Sequence, residues 1–136
     1  MSVARFLDTN ILLYAYDLDA PAKRAVALDY VEHGWNQLGE TALSVQLLQE
    51  LHVNLCRQGL ATAEAAQVIW RYAAWPVVDN SLALLHAALD EQARWQLSFW
   101  EALILAAARA SGATELITEQ NWSYTLSSTL IKDRLA

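Results

Sequence analysis

Two acidic residues come directly after short segments that are predicted to be strands. Asp8 comes directly after residues 3–7, and Glu119 comes directly after residues 114–118. In an open parallel sheet, ligands bind in the crevice beyond the carboxyl ends of the strands, so both carboxylates are expected there. Asp8 could equally cap the helix that follows it, since aspartate is a favoured N-cap, and Glu119 could be a solvent-facing loop acid.

Two further acidic residues lie in predicted helices. Glu50 stands beside the buried stripe of a helix predicted over residues 45–57, and carboxylates rarely flank a core unpaired. Glu101 lies in the first turn of a helix predicted over residues 98–110. Because Ser98 and Glu101 match the Ser-x-x-Glu capping box, Glu101 has a structural role available besides a role in a site.

Carboxylates that converge from separate elements repel one another, and a bound divalent cation relieves that repulsion. Mg²⁺ and Mn²⁺ both prefer oxygen ligands of this kind. An ion in such a site activates water and stabilises the charge that develops on a phosphate, which is the chemistry of phosphodiester hydrolysis. A metal ion would also reconcile an acidic protein with an anionic substrate.

Other catalytic chemistries lack their sequence signals. His33, His52 and His86 lie in three different predicted helices without metal-ligand spacing, and Cys56, the single cysteine, excludes both a zinc ribbon and an internal disulfide. The sequence contains no Gly-x-Gly-x-x-Gly, Walker-type or Gly-x-Ser-x-Gly motif. Dinucleotide binding, P-loop hydrolysis and serine-hydrolase chemistry are therefore not indicated.

Size and composition predict one globular domain with an apolar interface. The 136 residues fit a single domain over residues 1–136, and 55% of them are hydrophobic, above the average of about 45–50%. The net charge of −6 opposes binding of nucleic acid through phosphate contacts alone. The apolar excess and six tryptophans favour a partner or self-association. Without a membrane-spanning run or a secretion-signal pattern, the chain is predicted to be cytoplasmic.

Strands and helices alternate along the sequence. Strands are predicted over residues 3–7, 41–44, 75–78 and 114–118, and helices over residues 11–16, 22–35, 45–57, 62–74, 80–96 and 98–110. Gly34 and Gly39 are expected to end the second helix. The alternation predicts an α/β fold, a three-layer α/β/α sandwich with a central parallel sheet of four to five strands. Residues 121–136 are only weakly patterned.

Four segments resemble, in order and approximate separation, the motifs of PIN domains. These segments are residues 6–15, 43–51, 98–104 and 116–119. The likeness covers about the first 120 residues. A match to four motifs in the same order is more specific than a match to one. Within the PIN family, the chain resembles the VapC-like ribonuclease toxins of bacterial type II toxin–antitoxin systems.

The resemblance implies a metal-dependent endoribonuclease with Mg²⁺ or Mn²⁺ as its cofactor. By this likeness the catalytic residues are Asp8, Glu50 and Glu101, the metal ligands are these three and Glu119, and the supporting residues are Asn10, Ser44 and Gln120. The implied partners are an RNA substrate, a cognate antitoxin protein and a second copy of the chain, with no membrane association.

Two positions depart from the PIN pattern. The family usually has aspartate where this chain has Glu101, and it commonly has an acidic pair where this chain has Glu119 followed by Gln120. Loss of one negative ligand weakens affinity for a hard cation. The alternative hypotheses are a catalytically weakened PIN-like module that binds or regulates, and a generic α/β domain whose acids only cap helices.

Overall fold

A computed structural model describes residues 2–118 and 124–126 of the protein. Its elements are β1 (Arg5–Leu7), α1 (Thr9–Ala15), α2 (Pro21–Asn36), β2 (Thr41–Ser44), α3 (Val45–Arg57), α4 (Thr62–Tyr72), β3 (Val77–Val78), α5 (Leu82–Trp95), α6 (Phe99–Ala110), β4 (Glu115–Ile117) and β5 (Tyr124–Thr125). The predicted strands and helices are confirmed, with bounds that differ by at most two residues. Across the described residues, no helix has the length and apolarity required to cross a bilayer.

The strands form one sheet in the order β3-β2-β1-β4-β5. β1 is parallel to both β2 and β4, and β2 is parallel to β3, whereas β5 pairs with β4 in the antiparallel direction. The predicted α/β fold with a central parallel sheet is therefore confirmed, with four parallel strands and one antiparallel edge strand. Because β1 is the middle strand, the residue that follows it emerges at the centre of the sheet's carboxyl edge.

Neighbouring residues of the central strands pack against opposite helical layers, as alternation along a strand requires. Phe6 and Leu116 pack with residues of α5 and α6, whereas Leu7 and Ile117 pack with residues of α1 to α4. All four side chains are at most 1% exposed. The sheet is thus covered on both faces, which is the predicted three-layer sandwich.

The prediction that Gly34 ends a helix is wrong. α2 continues beyond it, and Gly39, with a φ of 96°, lies in the turn that follows. Gly34 instead allows close packing, because a Cβ there would lie 2.2 Å from the ring of Trp75. Trp75 is in edge contact with Trp35 and Tyr72, with centroids 5.2 Å apart in each pair, and burial raises the pKa of Tyr72 far above its ordinary value. This cluster closes the core on the side away from α5 and α6.

Candidate active site

Asp8 is the first residue beyond β1. Its backbone N–H donates to the carbonyl oxygen of Ile117 at 3.0 Å, which extends the pairing of β1 with β4 by one residue. Its carboxylate oxygen Oδ1 accepts the N–H of Thr9 at 2.6 Å, so Asp8 is the N-cap of α1. The capping role considered from the sequence is therefore present. It holds a partly buried carboxylate at the middle of the carboxyl edge.

A narrow cavity of about 10 Å³ lies beside Asp8, with room for about one water-sized species. We call it the edge cavity; its polar lining consists of Asp8, Thr9, Ser44, Gln46 and Asn80. Ser44 is the last residue of β2 and is buried, and its hydroxyl accepts the N–H of Leu47 at 3.1 Å as the N-cap of α3. Two neighbouring strands thus end in residues that cap the next helix and line one cavity.

Thr118 follows β4 at the same edge of the sheet. Its side chain is buried at 7% exposure, and its hydroxyl has no hydrogen-bond partner within the described part of the chain. Burying a hydroxyl without a hydrogen-bond partner costs free energy. The Thr118 hydroxyl is therefore available to bond a group other than the described residues. The next two residues, Glu119 and Gln120, lie outside the described residues, and their predicted roles stay predictions.

Glu50 lies on the exposed side of α3, where its carboxylate accepts a hydrogen bond from the Gln46 side chain at 3.1 Å. It lines a second cavity of about 460 Å³, which we call the Trp100 cleft; its lining is Gln46, Gln49, Glu50, Asn80, Ser81, Leu84, Leu85, Phe99, Trp100 and Leu103. Gln46 and Asn80 line the edge cavity as well. Asp8 and Glu50 are thus brought to two adjoining cavities that share a wall.

Glu101 and Asn10 have different surroundings. Glu101 forms the predicted capping box with Ser98: the Ser98 hydroxyl accepts the Glu101 N–H at 3.2 Å, and Oε1 of Glu101 accepts the Ser98 N–H at 3.4 Å. The cap occupies one oxygen of a partly buried carboxylate in the first turn of α6. Asn10 is exposed in the first turn of α1. For both residues, a role in metal binding or support of the site stays a prediction.

The oxygen ligands at the carboxyl edge suit a hard cation. Residues 2–118 and 124–126 contain no group of three acidic, histidine or cysteine side chains close enough to hold a metal ion. Mg²⁺ does not require such a group, because it usually keeps several waters and binds one or two carboxylates together with substrate phosphates. The edge cavity offers one carboxylate, from Asp8, beside the neutral oxygens of Ser44 and Gln46. These oxygens are of the chemical kind that Mg²⁺ and Mn²⁺ prefer, and because the cavity has room for about one water-sized species, the waters that such an ion keeps would lie outside it.

Sequence reasoning missed three residues that line these cavities. Asn80 is the second residue after β3, and the strand-end rule that selected Asp8 selects Asp79 there instead, which is not among the residues that line either cavity. Gln46 is the second residue of α3, and its position just after the N-cap Ser44 was a sequence signal that it lies near the strand end. Trp100 precedes Glu101, and no sequence signal distinguishes an exposed tryptophan from a buried one.

Solved structures share this fold. A toxin–antitoxin complex from Klebsiella pneumoniae gives a TM-score of 0.64 at 20% sequence identity, covering 88% of this chain and 89% of that chain. VapC20 of Mycobacterium tuberculosis, a toxin that cleaves the sarcin–ricin loop, gives a TM-score of 0.60 at 20% identity, covering 88% of this chain and 92% of that chain. No protein-family model and no curated protein sequence matches the chain. The chain has a VapC-like fold, which confirms the fold expected from the resemblance to PIN domains.

Proposed function

We propose that the chain is a cytoplasmic, metal-dependent endoribonuclease and the toxin of a VapBC-like toxin–antitoxin pair. The observation that carries the proposal is the position of Asp8, whose carboxylate lies beside the edge cavity at the end of the central strand. Ligands of open parallel sheets bind at this edge. The fold shared with two structures described as a toxin–antitoxin complex and an RNA-cleaving toxin supports the choice of substrate.

In this proposal Asp8 is the principal ligand of Mg²⁺ or Mn²⁺. The N–H of Thr9 fixes the orientation of its carboxylate, so the ligand needs little ordering when the ion binds. When bound, the ion lowers the pKa of a water molecule and stabilises negative charge on the phosphate. Glu50, Glu101 and Glu119 are the further proposed ligands. The proposed supporting residues are Asn10, Ser44 and Gln120.

A second candidate function is a weakened PIN-like module that binds or regulates. It is favoured by the absence of a three-acid group among residues 2–118 and 124–126 and by the engagement of Glu101 in a helix cap. The neutral Gln120 after Glu119 points the same way, because each lost charge reduces affinity for a hard cation. This alternative predicts binding of metal or RNA without turnover.

The proposed antitoxin would cover the acidic edge and an apolar groove between α3 and α4. We call this depression of about 530 Å³ the Trp70 groove; it is lined by Val45, Leu48, Gln49, His52, Val53, Ala66, Ile69 and Trp70. Trp70 is 78% exposed and Val53 48%, so a partner could bury a sizeable apolar surface there. The proposed homodimer has a separate candidate surface in Leu82 and Leu89, which are exposed on α5.

Cleavage of structured RNA by the purified chain tests the proposal. We expect cleavage with Mg²⁺ or Mn²⁺, none with EDTA, and a loss of roughly 100-fold or more in Asp8→Asn, because metal catalysis is worth several kcal/mol. Asparagine is as good an N-cap as aspartate, so this variant keeps the cap of α1 while it removes the charge. Metal-dependent RNA binding without cleavage would favour the weakened module. Cleavage unchanged in Asp8→Asn would overturn the proposed site.

A further inference from the structure

An exposed tryptophan lies next to the proposed site. Trp100, the second residue of α6, is 62% exposed and packs edge-on against Phe99 with centroids 5.3 Å apart. Phe99 thereby holds the indole from one side while much of its surface faces solvent. Exposed aromatic rings are the groups on which unpaired nucleobases stack in proteins that bind single-stranded nucleic acid.

Amide side chains surround the tryptophan in the Trp100 cleft. Gln46, Gln49 and Asn80 line it, and the Asn80 amide donates to the side-chain oxygen of Gln49 at 3.4 Å. Amides can both donate and accept, as is needed to pair with the edge of a base. Among the residues that the structure describes, those lining the cleft include no lysine or arginine, and they include the acidic Glu50. This cleft is therefore suited to the base of a nucleotide and not to its phosphate.

The volume of the Trp100 cleft and its connection to the edge cavity also suit a nucleobase. The volume of about 460 Å³ lies within the range of roughly 300–1,000 Å³ that is usual for ligand pockets. Because the cleft shares Gln46, Asn80, Leu84 and Leu103 with the edge cavity, a base bound there belongs to a nucleotide close to the phosphate at Asp8.

We propose that the Trp100 cleft binds an unpaired nucleobase of the RNA, stacked on Trp100 and hydrogen-bonded by Gln46, Gln49 or Asn80, beside the scissile phosphate. This inference rests on the proposed function and adds to it a base-binding subsite beside the point of cleavage. Trp100 is then a positioning residue that holds any base by stacking, and the amides are the groups that distinguish one base from another. A protein occupant is less suited, because an apolar surface packed against the cleft would leave the remaining donors and acceptors of its three amides unmatched, whereas the edge of a base can pair with them.

Binding of fluorescein-labelled single-stranded RNA decamers tests this inference, followed by anisotropy in the Asp8→Asn background, which is expected neither to bind the metal nor to cleave the RNA. One base–aromatic stack is worth about 1–3 kcal/mol, so Trp100→Ala should weaken binding roughly 5- to 150-fold, while Trp100→Tyr should retain most of the affinity. Trp70→Ala removes a tryptophan that is even more exposed but that lines the Trp70 groove and not the Trp100 cleft, and RNA affinity should not change. In the cleaving protein, Trp100→Ala should raise KM more than it lowers kcat.

The outcomes separate this inference from the proposed function. If the wild-type chain cleaves RNA and Trp100→Ala binds and cleaves it equally well, the inference is wrong and the proposed function stands. If the chain neither binds nor cleaves RNA, both are wrong. If Trp100→Ala changes the mass measured by light scattering and leaves RNA affinity intact, the cleft is an interface between copies and the inference is again overturned.

Discussion

Two depressions flank helix α3, and each contains a tryptophan that is more than half exposed. The Trp70 groove of about 530 Å³ is bounded mainly by aliphatic side chains such as Val53 and Ile69. The Trp100 cleft of about 460 Å³ has apolar side chains on part of its lining but also contains three amides, Ser81 and Glu50, and it adjoins the edge cavity beside Asp8. Size and an exposed indole are common to both, so neither property identifies the ligand. The polar partners and the distance to the strand ends distinguish a protein-binding surface from a nucleotide-binding one.

The substitution with the largest predicted effect tests whether the Trp70 groove, and not the Trp100 cleft, binds the antitoxin. Replacing Trp70 with serine should weaken binding of the cognate antitoxin roughly 30-fold or more, because a tryptophan at the centre of an interface is commonly worth 2 kcal/mol or more. Calorimetry on the two purified proteins measures this, and RNA cleavage by the free toxin should be unchanged. If Trp100→Ser weakened antitoxin binding and Trp70→Ser did not, the assignment of the two surfaces would have to be exchanged.

A smaller effect is expected at Glu50, which lies in the Trp100 cleft. Glu50→Gln should lower cleavage about 10-fold at limiting Mg²⁺, since a neutral amide attracts a hard cation less, and a higher Mn²⁺ concentration should restore much of the rate. The matched control is Glu64→Gln, which removes an exposed acid in the first turn of α4. A loss that persists at saturating metal would show that Glu50 acts on the RNA and not on the ion.

The smallest effect is expected at Glu101, where two substitutions separate the helix cap from the metal site. Glutamine can complete a capping box as glutamate does, so Glu101→Gln should leave the melting temperature unchanged and lower cleavage several-fold. Glu101→Ala should lower cleavage similarly and also reduce stability by about 1 kcal/mol. If Glu101→Gln cleaved RNA at the wild-type rate, Glu101 would be a capping residue alone.

The sequence predicted the fold better than the site, and the reason is physical. Strand and helix periodicity depends on near neighbours, which is why all the strands and helices predicted up to residue 118 are present. Asp8 was identified because a residue that follows a parallel strand necessarily lies at one edge of the sheet, whereas Ser44 was predicted only from the resemblance to PIN domains. By contrast, the contact of Gly34 with Trp75 and the exposure of Trp100 depend on distances between elements, which no local pattern encodes.

Glu50 and Glu101 illustrate the same limit within the site. Their helical positions were predicted correctly, but a helix residue reaches the edge cavity only if the rotation and tilt of its helix bring it there. The capping box of Glu101 was visible in the sequence because both partners lie within one turn. Whether the same carboxylate also contributes to a metal site depends on packing between α6 and the sheet.

Calorimetric titration of the purified chain with Mn²⁺ tests the central claim, that Asp8 is the principal ligand of a metal site at the carboxyl edge. We predict saturable binding below millimolar concentration in the wild-type chain and its loss in Asp8→Asn. The matched variant Asp29→Asn, which removes an exposed charge from α2, should bind Mn²⁺ as the wild type does. Absence of binding near millimolar Mn²⁺ in the wild type, or equal binding in Asp8→Asn, would contradict the claim.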